Sequence, residues 1–508
     1  MNRKKPIKKM FSNKSKFNIR FYYVALILAP AFAMTVSLAI GLKQSVWFDE
    51  AYSIFVAKQP LAELIRLTAL DTHPPLYYIA LKTWATIFGW GEVALRSFSV
   101  ICLGGAIVIA GLLIKKMFGY KVAAGVLLLM AISPLLLRYG FEIRMYALGS
   151  LIGVLATYIL HASVISKELS YLKLALYAAF VAIGTYTLYY LVLLWFAHIS
   201  WLLYVYIKQR NKPKELLQYV YAYLGAATLF LPWLPSFISQ TTNGALASIG
   251  KRLNLEELIG ILTFNIAYEP LYRVEMLLTL AVIACLSVTS VCLYTARHEL
   301  LKYKENVALL GMYIGVPIAA LMLVSFFRPM YVERYLAHVA IGLIMFVGVI
   351  VMLALGNMST RAKVVVVSFL FIPFMVGLSQ LSALGNFNFQ RLETPQVNAA
   401  AKSIPACDDR KKIVAADPYV AIELSYYVPS CAIYFLSEWD TLGGGYAPLS
   451  GSEYQIKSES DLPSDMPFTF VHYGDMGETI ASNFTETNRR EFGILRVSEL
   501  SRDSRESN

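Results

Sequence analysis

The chain has 508 residues, of which 57% are hydrophobic and only 15% are charged, and its mean hydropathy is +0.56. A soluble globular protein carries about 25% charged residues, so the composition excludes an ordinary soluble domain and predicts a polytopic α-helical membrane protein. The formal net charge is +12, but much of the excess lies in short loops between apolar segments. There it indicates membrane topology and not nucleic-acid binding. The region from Gly385 onward is instead acidic, with 11 basic and 18 acidic residues.

Residues 1–20 form a strongly basic segment that precedes the first apolar run. Because no small-residue cleavage site follows a short apolar region, we interpret this segment as a retained cytoplasmic tail and not as a signal peptide. Beyond it, windows of about twenty apolar residues predict about eleven transmembrane helices in a membrane domain at 21–385. The predicted spans are 22–42, 93–114, 121–138, 144–165, 171–187, 188–208, 216–236, 273–295, 307–326, 335–355 and 363–384.

The basic residues between these spans fall in alternate loops, as the positive-inside rule expects of cytoplasmic loops. They cluster near 115–121, 167–173, 208–214, 297–304 and 361–363. The N-terminus is therefore predicted to be cytoplasmic, in the plasma membrane, and an odd number of spans places the C-terminal region outside. Two long external loops result, at 43–92 and 237–272, with interfacial helices predicted at 60–70 and after Asn254.

The region after the last span predicts a small extracytoplasmic α/β domain at 386–500 and a disordered tail at 501–508. The predicted strands are 413–416, 432–436, 467–473 and 492–497, with a helix at 418–427. Cys407 and Cys431 lie in this domain, where the predicted compartment is oxidising. A disulfide between them would close a loop of about 25 residues and stabilise the domain by roughly 3 kcal/mol. Two buried thiols are the alternative.

Two adjacent carboxylates, Asp49 and Glu50, lie just past the first apolar span. Placing them beside lipid is costly, because a neighbouring like charge and low polarity both raise a carboxyl pKa and favour a role as a base. The alternative is an ordinary helix N-terminus, where acidic residues interact favourably with the helix dipole.

The same loop contains the motif Asp71-Thr72-His73-Pro74-Pro75. Its double proline fixes the backbone and predicts a helix that begins at Leu76. Asp71 and His73 are candidate ligands for a divalent cation, the one cofactor that the sequence leaves open. No CxxC, HExxH or zinc-finger spacing occurs in the chain.

Four arginines approach the predicted external face: Arg96, Arg138, Arg144 and Arg334. A single arginine at such a position is explained by snorkelling to the membrane interface. A group of them runs against the positive-inside bias and suits a flat anion such as a lipid phosphate. Glu142 and Glu333 offer the alternative of internal ion pairs with Arg144 and Arg334.

Several motifs carry a resemblance to a known family. Phe48-Asp49-Glu50 followed by Asp71-x-His73-Pro74-Pro75-Leu76 resembles the protein O-mannosyltransferase family, glycosyltransferase family 39-like, of the GT-C superfamily. Residues 141–148, Phe-Glu-Ile-Arg-Met-Tyr-Ala-Leu, resemble a Gln-Glu-Ala-Arg-x-Tyr-Ala-Leu segment of bacterial members. Pro232-Trp233-Leu234-Pro235 and Glu333-Arg334-Tyr335-Leu336 are also similar to recurring elements. The resemblance covers roughly residues 20–385 and leaves out the tail.

The resemblance implies inverting transfer of a hexose, often mannose, from a polyprenyl-phosphate sugar to a hydroxyl group on the external face. Asp49 would be the general base, and Glu50 would orient the acceptor or a cation. His73, Arg96, Arg138, Arg144, Arg334 and Tyr335 would line the site and hold the lipid phosphate. A phosphate leaving group needs charge stabilisation and no proton, so one base and a cationic cradle suffice. The acceptor stays open between a lipid, a glycan and a protein.

Two other classes remain. A transporter or flippase for a lipid-linked solute would be expected to show broken helices and charges near span midpoints, often in repeated halves. A non-catalytic assembly factor that binds a partner through its acidic tail would leave Asp49, Glu50 and His73 unexplained. If the membrane domain is an enzyme, deletion of 390–508 should leave binding of the lipid-linked sugar intact.

Overall fold

The structure is a computed structural model. It describes residues 5–165, 170–209, 213–242, 276–384, 395–404, 412–438, 451–463 and 467–502, together with Arg252, Asn254, Glu257 and Leu449. The predicted helix after Asn254 lies largely outside these residues. Its N-cap is nevertheless described, because the Asn254 side chain accepts a hydrogen bond from the Glu257 backbone N–H at 2.8 Å.

The first 384 residues are helical wherever they form regular structure. In chain order the α-helices are α1 Lys5–Gly41, α2 Phe48–Lys58, α3 Leu61–Leu70, α4 Leu76–Phe88, α5 Glu92–Phe118, α6 Tyr120–Ala131, α7 Pro134–Phe141, α8 Tyr146–Val164, α9 Tyr171–Thr187, α10 Leu191–Gln209, α11 Pro213–Phe230, α12 Leu234–Thr242, α13 Met276–Lys302, α14 Lys304–Phe327, α15 Ala337–Gly356 and α16 Thr360–Leu384. Short 3-10 helices at Leu231–Trp233 and Glu333–Leu336 precede α12 and α15.

The chain is a multi-pass membrane protein, as predicted. Within the described residues, eight helices are long and apolar enough to cross a membrane, or nine if one bent pair is counted as a span. The eight are Lys16–Gly41, Glu92–Phe118, Tyr146–Val164, Leu191–Lys208, Leu216–Thr242, Lys304–Phe327, Arg334–Gly356 and Thr360–Ala383. The two remaining predicted spans fall on α9, a shorter apolar helix, and on α13, so for these two the count of eleven stays a prediction.

The predicted span 121–138 is not one straight helix. It is divided into α6 and α7, whose axes differ by 61°. Pro134 occupies the first turn of α7 and Ser133 caps that helix, its side chain accepting from the Leu136 backbone N–H. Because proline supplies no backbone N–H and its ring crowds the preceding turn, the helix restarts here in a new direction. Arg138, the last residue of the predicted span, lies within α7.

The chain divides into two compact units. Unit 1 comprises Met1–Leu38, Ser97–Pro235 and Gly250–Ala383, and unit 2 comprises Ala39–Arg96, Ser236–Ile249 and Leu384–Asn508. The segment predicted as the first external loop therefore packs with the C-terminal region within unit 2. The predicted domain boundary at residue 385 stays a prediction.

Unit 2 contains a six-stranded sheet in the order β3-β2-β1-β4-β6-β5. The strands are β1 Ile413–Ala415, β2 Ile433–Leu436, β3 Gln455–Ile456, β4 Phe468–His472, β5 Thr485–Phe492 and β6 Leu495–Ser501. Helices α17 Val397–Ser403, α18 Pro418–Tyr427 and α19 Gly474–Ser482 accompany them, with a 3-10 turn at Glu459–Asp461. The first four strands in this order pair in parallel, and β6 pairs antiparallel with β4 and β5.

The central strands of this sheet are buried on both faces, which explains their continuous apolar runs. Ile413 and Ala415 of β1 pack in one core with residues of α17 and α18. Val414 points to the opposite core, which contains Ala481 of α19. The predicted α/β tail is thus confirmed, although the strand predicted at 492–497 spans the turn between β5 and β6.

Candidate active site

Asp49 and Glu50 lie in the first turn of α2. This position is compatible with a catalytic role and with an ordinary helix N-terminus. The Trp47 backbone N–H donates to Glu50 Oε2 at 3.3 Å, and the Ser53 hydroxyl donates to the Asp49 carbonyl at 2.8 Å. These bonds fix the start of the helix. Asp49 is partly exposed, whereas Glu50 is buried.

Glu50 forms a buried ion pair with Arg96 of α5. The distances are 2.6 Å from Arg96 Nη1 to Glu50 Oε1 and 3.1 Å from Nη2 to Oε2, and both side chains are 0% exposed. Such a bidentate pair is a strong charge-assisted interaction with a specific geometry. This geometry favours assigning the two residues to each other, whereas the roles predicted for Arg96 at a lipid phosphate and for Glu50 toward an acceptor or a cation stay predictions.

A tyrosine of the C-terminal region completes this arrangement. The Tyr427 hydroxyl donates to Glu92 Oε1 at 2.7 Å and accepts from the Val46 backbone N–H at 2.7 Å. Glu92 lies four residues before Arg96 on α5, and its charge also acts on Arg96. Burial, reinforced by the charge of Glu92, raises the pKa of Tyr427, so the hydroxyl keeps its proton for this bond.

Asp71 and His73 are both buried in the segment between α3 and α4. The Asp71 carboxylate accepts hydrogen bonds from the hydroxyls of Thr72 at 3.2 Å and Tyr78 at 3.1 Å. Pro75 precedes α4, as the double proline predicts. Within the described residues, no three His, Cys, Asp or Glu side chains group together so as to hold a metal ion. Asp71 and His73 therefore stay candidate ligands only, and we derive no step through a cation.

The remaining candidate residues belong to unit 1. Arg138 lies on α7, Arg144 is buried in the link before α8, and Arg334 and Tyr335 lie in the 3-10 turn before α15. The Arg138 guanidinium lies 5.6 Å from the Tyr139 ring centroid, and that of Arg334 lies 5.9 Å from Tyr335.

Ring contacts join Tyr335 to three further tyrosines of unit 1. The Tyr335 ring centroid lies 5.0 Å from that of Tyr190 and 6.4 Å from that of Tyr146, which in turn lies 5.3 Å from Tyr139. The Tyr190 hydroxyl donates to the Met330 carbonyl. Unit 1 thus combines cationic groups with hydroxyl-bearing rings, an arrangement suited to an anion with an apolar neighbour.

A small cavity adjoins the tyrosines of unit 1, between α5, α7, α8 and α15. Its lining residues are Leu103, Ala106, Leu136, Tyr139, Gly140, Tyr146, Ala147, Ser150, Ala337 and Ile341. Apart from the two tyrosines and the serine, the wall is apolar. Such a wall suits a hydrocarbon segment.

The sequence argument missed the tyrosines at 139, 146, 190 and 427 and the carboxylate of Glu92. Single tyrosines in apolar helices carry no signal that separates a site residue from a core residue. The i, i+4 spacing of Glu92 and Arg96 is the one local signal that was available.

Cys431 is disulfide-bonded. Its predicted partner, Cys407, lies outside the described residues, so the pairing stays a prediction. Cys102, Cys285 and Cys292 are free and buried.

The fold defines a class: a multi-pass membrane protein with a GT-C fold. Over 93% of its length, the chain is similar to the crystal structure of ArnT from Cupriavidus metallidurans bound to undecaprenyl phosphate, with a TM-score of 0.63 and 12% identity over 97% of that chain. The apo state of the same protein gives a TM-score of 0.62 and 10% identity, with the same coverage of both chains. The chain therefore shares the fold of ArnT, which agrees with the resemblance found in the sequence.

Residues 72–235 match the model of a family described as dolichyl-phosphate-mannose-protein mannosyltransferase. Together with the shared fold, this match supports a membrane glycosyltransferase. The archaeal oligosaccharyltransferase AglB from Archaeoglobus fulgidus, in complex with an inhibitory peptide and a dolichol-phosphate, matches 93% of this chain and 74% of its own at 11% identity, with a TM-score of 0.49. No curated protein sequence matches the chain.

Proposed function

We propose that this protein is an inverting glycosyltransferase that moves a hexose, mannose or a similar sugar, from a polyprenyl-phosphate donor to a hydroxyl acceptor on the external face of the plasma membrane. The observation that carries the proposal is the difference in environment between the two carboxylates at the start of α2. Glu50 is committed to Arg96, whereas its neighbour Asp49 is partly exposed and provides the carboxylate for chemistry.

In the proposed reaction the acceptor oxygen attacks the anomeric carbon as the bond between that carbon and the phosphate oxygen breaks. The acceptor proton passes to Asp49, acting as general base. The electron pair of the broken bond leaves with the polyprenyl phosphate, whose negative charge is stabilised by Arg138, Arg144 and Arg334. Tyr335 and His73 line the site. Arg96 acts through Glu50 and does not touch the donor.

Two further observations support a polyprenyl-phosphate donor. The structurally similar ArnT was crystallised with undecaprenyl phosphate, and the matched family is described by a dolichyl-phosphate-mannose donor. In unit 1, the apolar cavity adjoins rings whose neighbours are arginines. A prenyl chain and a phosphate require these two environments side by side.

The test is transfer of tritiated mannose from mannosyl undecaprenyl phosphate by the purified protein in lipid nanodiscs. We expect Asp49→Asn to lower the rate by about 10²- to 10⁴-fold, the usual contribution of a general base, while undecaprenyl phosphate binds as before. Glu63→Gln is the matched control, because Glu63 is an exposed carboxylate paired with Arg66 in the same unit. Near-normal transfer by Asp49→Asn would overturn the assignment of the base, and lipid flipping without transfer would favour a transporter.

A further inference from the structure

Helix α18 of the C-terminal region packs directly against α2, which carries Asp49. One end of α18 is anchored by hydrogen bonds. Tyr427 bonds to Val46 and Glu92, as described above, and the Tyr426 hydroxyl donates to the Trp90 carbonyl at 3.1 Å. The Lys58 ammonium lies within 6 Å of the rings of both Trp90 and Tyr426. This end of α18 therefore has a fixed position relative to α2.

The other end of α18 presents aromatic rings beside the candidate base. The Tyr419 ring meets the edge of the Phe48 ring at 5.2 Å, and Phe48 directly precedes Asp49. Asp417 caps the helix by accepting from the backbone N–H groups of Tyr419 at 2.7 Å and Val420 at 2.9 Å. The Tyr473 hydroxyl also donates to Asp417, which adds a second ring to the group.

These rings remain accessible. Tyr419 is 42% exposed and Tyr473 is 38% exposed, although burial of their rings would be favourable. Both carboxylates adjoin these rings, because Asp49 directly follows Phe48 and Asp417 accepts from the Tyr419 backbone N–H. Burial, together with the charges of Asp417 and Asp49, raises the pKa of Tyr419. We call Phe48, Tyr419 and Tyr473, with Asp49 and Asp417, the aromatic platform.

We propose that the aromatic platform is the acceptor subsite and that the acceptor is a carbohydrate. The proposal rests on the proposed glycosyl transfer. The electron-rich face of an aromatic ring attracts the weakly positive C–H groups of a sugar ring. Carboxylate oxygens accept hydrogen bonds from its hydroxyls. Asp49 then accepts the proton of the hydroxyl group that attacks the donor.

A purely apolar acceptor would gain from the rings but would desolvate the two carboxylates without compensation. The platform therefore favours a polyhydroxylated ring over a long-chain alcohol. A hydroxyl-bearing peptide could also satisfy the carboxylates, but it offers no ring-sized C–H face for Tyr419 and Tyr473. The C-terminal region thus acquires a role in the choice of acceptor.

The experiment compares three classes of defined acceptor with the full-length protein in nanodiscs: p-nitrophenyl glycosides of mannose, glucose and galactose, a serine- and threonine-containing peptide, and dodecanol. Tritiated mannosyl undecaprenyl phosphate is the donor. We expect transfer to a glycoside, with a KM that rises about tenfold in Tyr419→Ala, as loss of one aromatic contact implies. The Kd for undecaprenyl phosphate should stay constant. Tyr419→Phe, which keeps the ring, should raise the KM less.

Tyr454→Ala is the matched control, because Tyr454 is 40% exposed on the same domain and packs against Tyr434 at the β3 edge. Tyr473→Ala is a second variant and should also raise the glycoside KM. Thermal unfolding of each variant shows whether it is folded. An unchanged KM in folded Tyr419→Ala and Tyr473→Ala, or transfer to the peptide or dodecanol alone, would overturn the subsite. Absence of transfer to every acceptor by the wild-type protein would instead overturn the proposed function.

Discussion

Asp49 and Glu50 are neighbours in sequence but have different environments. Successive residues of an α-helix point about 100° apart, so at the start of α2 one carboxylate is partly exposed while the other is buried. Glu50 meets Arg96 with both carboxylate oxygens. Because an unpaired buried charge is costly, the pair holds α2 to the first residues of α5, which belong to the same unit. We therefore propose that Arg96 is a positioning residue.

We expect Arg96→Met to lower the free energy of unfolding by about 3–5 kcal/mol, since it leaves Glu50 buried without its partner. Glu50→Gln should cost less, because Glu92 still offers a negative charge to Arg96. The double variant Glu50→Gln/Arg96→Met should recover much of the loss. Thermal unfolding in detergent measures these differences.

The same variants test the role of Arg96 in binding. If Arg96 held the lipid phosphate, Arg96→Met would leave the melting temperature unchanged and weaken binding of undecaprenyl phosphate. Arg144→Met is the comparison, because Arg144 lies in unit 1 and keeps its proposed role at the phosphate. A normal melting temperature in Arg96→Met would contradict the structural role of the pair.

The sequence could identify those candidate site residues whose side chains are unusual next to a membrane span. Asp49 and His73 stand out because a carboxylate and an imidazole beside membrane spans are rare. Tyr427 does not stand out, since its role depends on hydrogen bonds to Val46 and Glu92, which are more than 300 residues away in the chain. No local pattern encodes such a contact.

At the scale of elements, apolar length predicted the helices well but not their breaks. The run 121–138 is uniformly apolar, so only Ser133-Pro134 hinted at the bend between α6 and α7. In the tail, β5 was missed because it is an edge strand with exposed, mostly polar side chains and no apolar alternation. Its turn to β6 contains Gly493 with φ 62°, a left-handed conformation that glycine adopts readily.

Close helix packing in unit 1 depends on Gly342 of α15. A Cβ atom at this position would overlap the ring of Tyr313 on α14, and Tyr313 is fully buried. We therefore expect Gly342→Ala to lower the free energy of unfolding by about 1–3 kcal/mol, as overpacking does. Thermal unfolding in detergent provides the measurement.

Gly315→Ala is the matched control, because Gly315 lies on the same helix as Tyr313 and a Cβ there has no neighbour within 4 Å. Alanine should leave stability unchanged or raise it by up to about 1 kcal/mol, in line with its helix propensity. Equal effects of the two substitutions would show that the α14–α15 contact does not limit stability.

At the scale of the whole molecule, the C-terminal region does not form a compact unit by itself. Residues 39–96, which carry Asp49, belong to the same compact unit as the C-terminal sheet. The described cationic and tyrosine residues near the apolar cavity belong to the other unit. This division predicts that donor binding and transfer respond differently to damage in the tail.

Removal of 386–508 should abolish transfer while leaving binding of undecaprenyl phosphate measurable, because the proposed phosphate ligands Arg138, Arg144 and Arg334 all lie in unit 1. A milder variant, Tyr427→Phe, removes the hydroxyl shared by Val46 and Glu92 and should cost about 1–3 kcal/mol, since buried polar groups lose their partner.

Hydrogen exchange of the peptide 44–58 in the full-length protein should show whether the stability lost in Tyr427→Phe is lost in this segment. We expect faster exchange there in Tyr427→Phe, because the Val46 N–H, two residues before α2, loses its acceptor on α18. Tyr454→Phe, a change on the β3 side of the same sheet, should leave this peptide unaffected. Retained transfer after truncation, or unchanged exchange at 44–58 in Tyr427→Phe, would show that α2 is ordered without the tail.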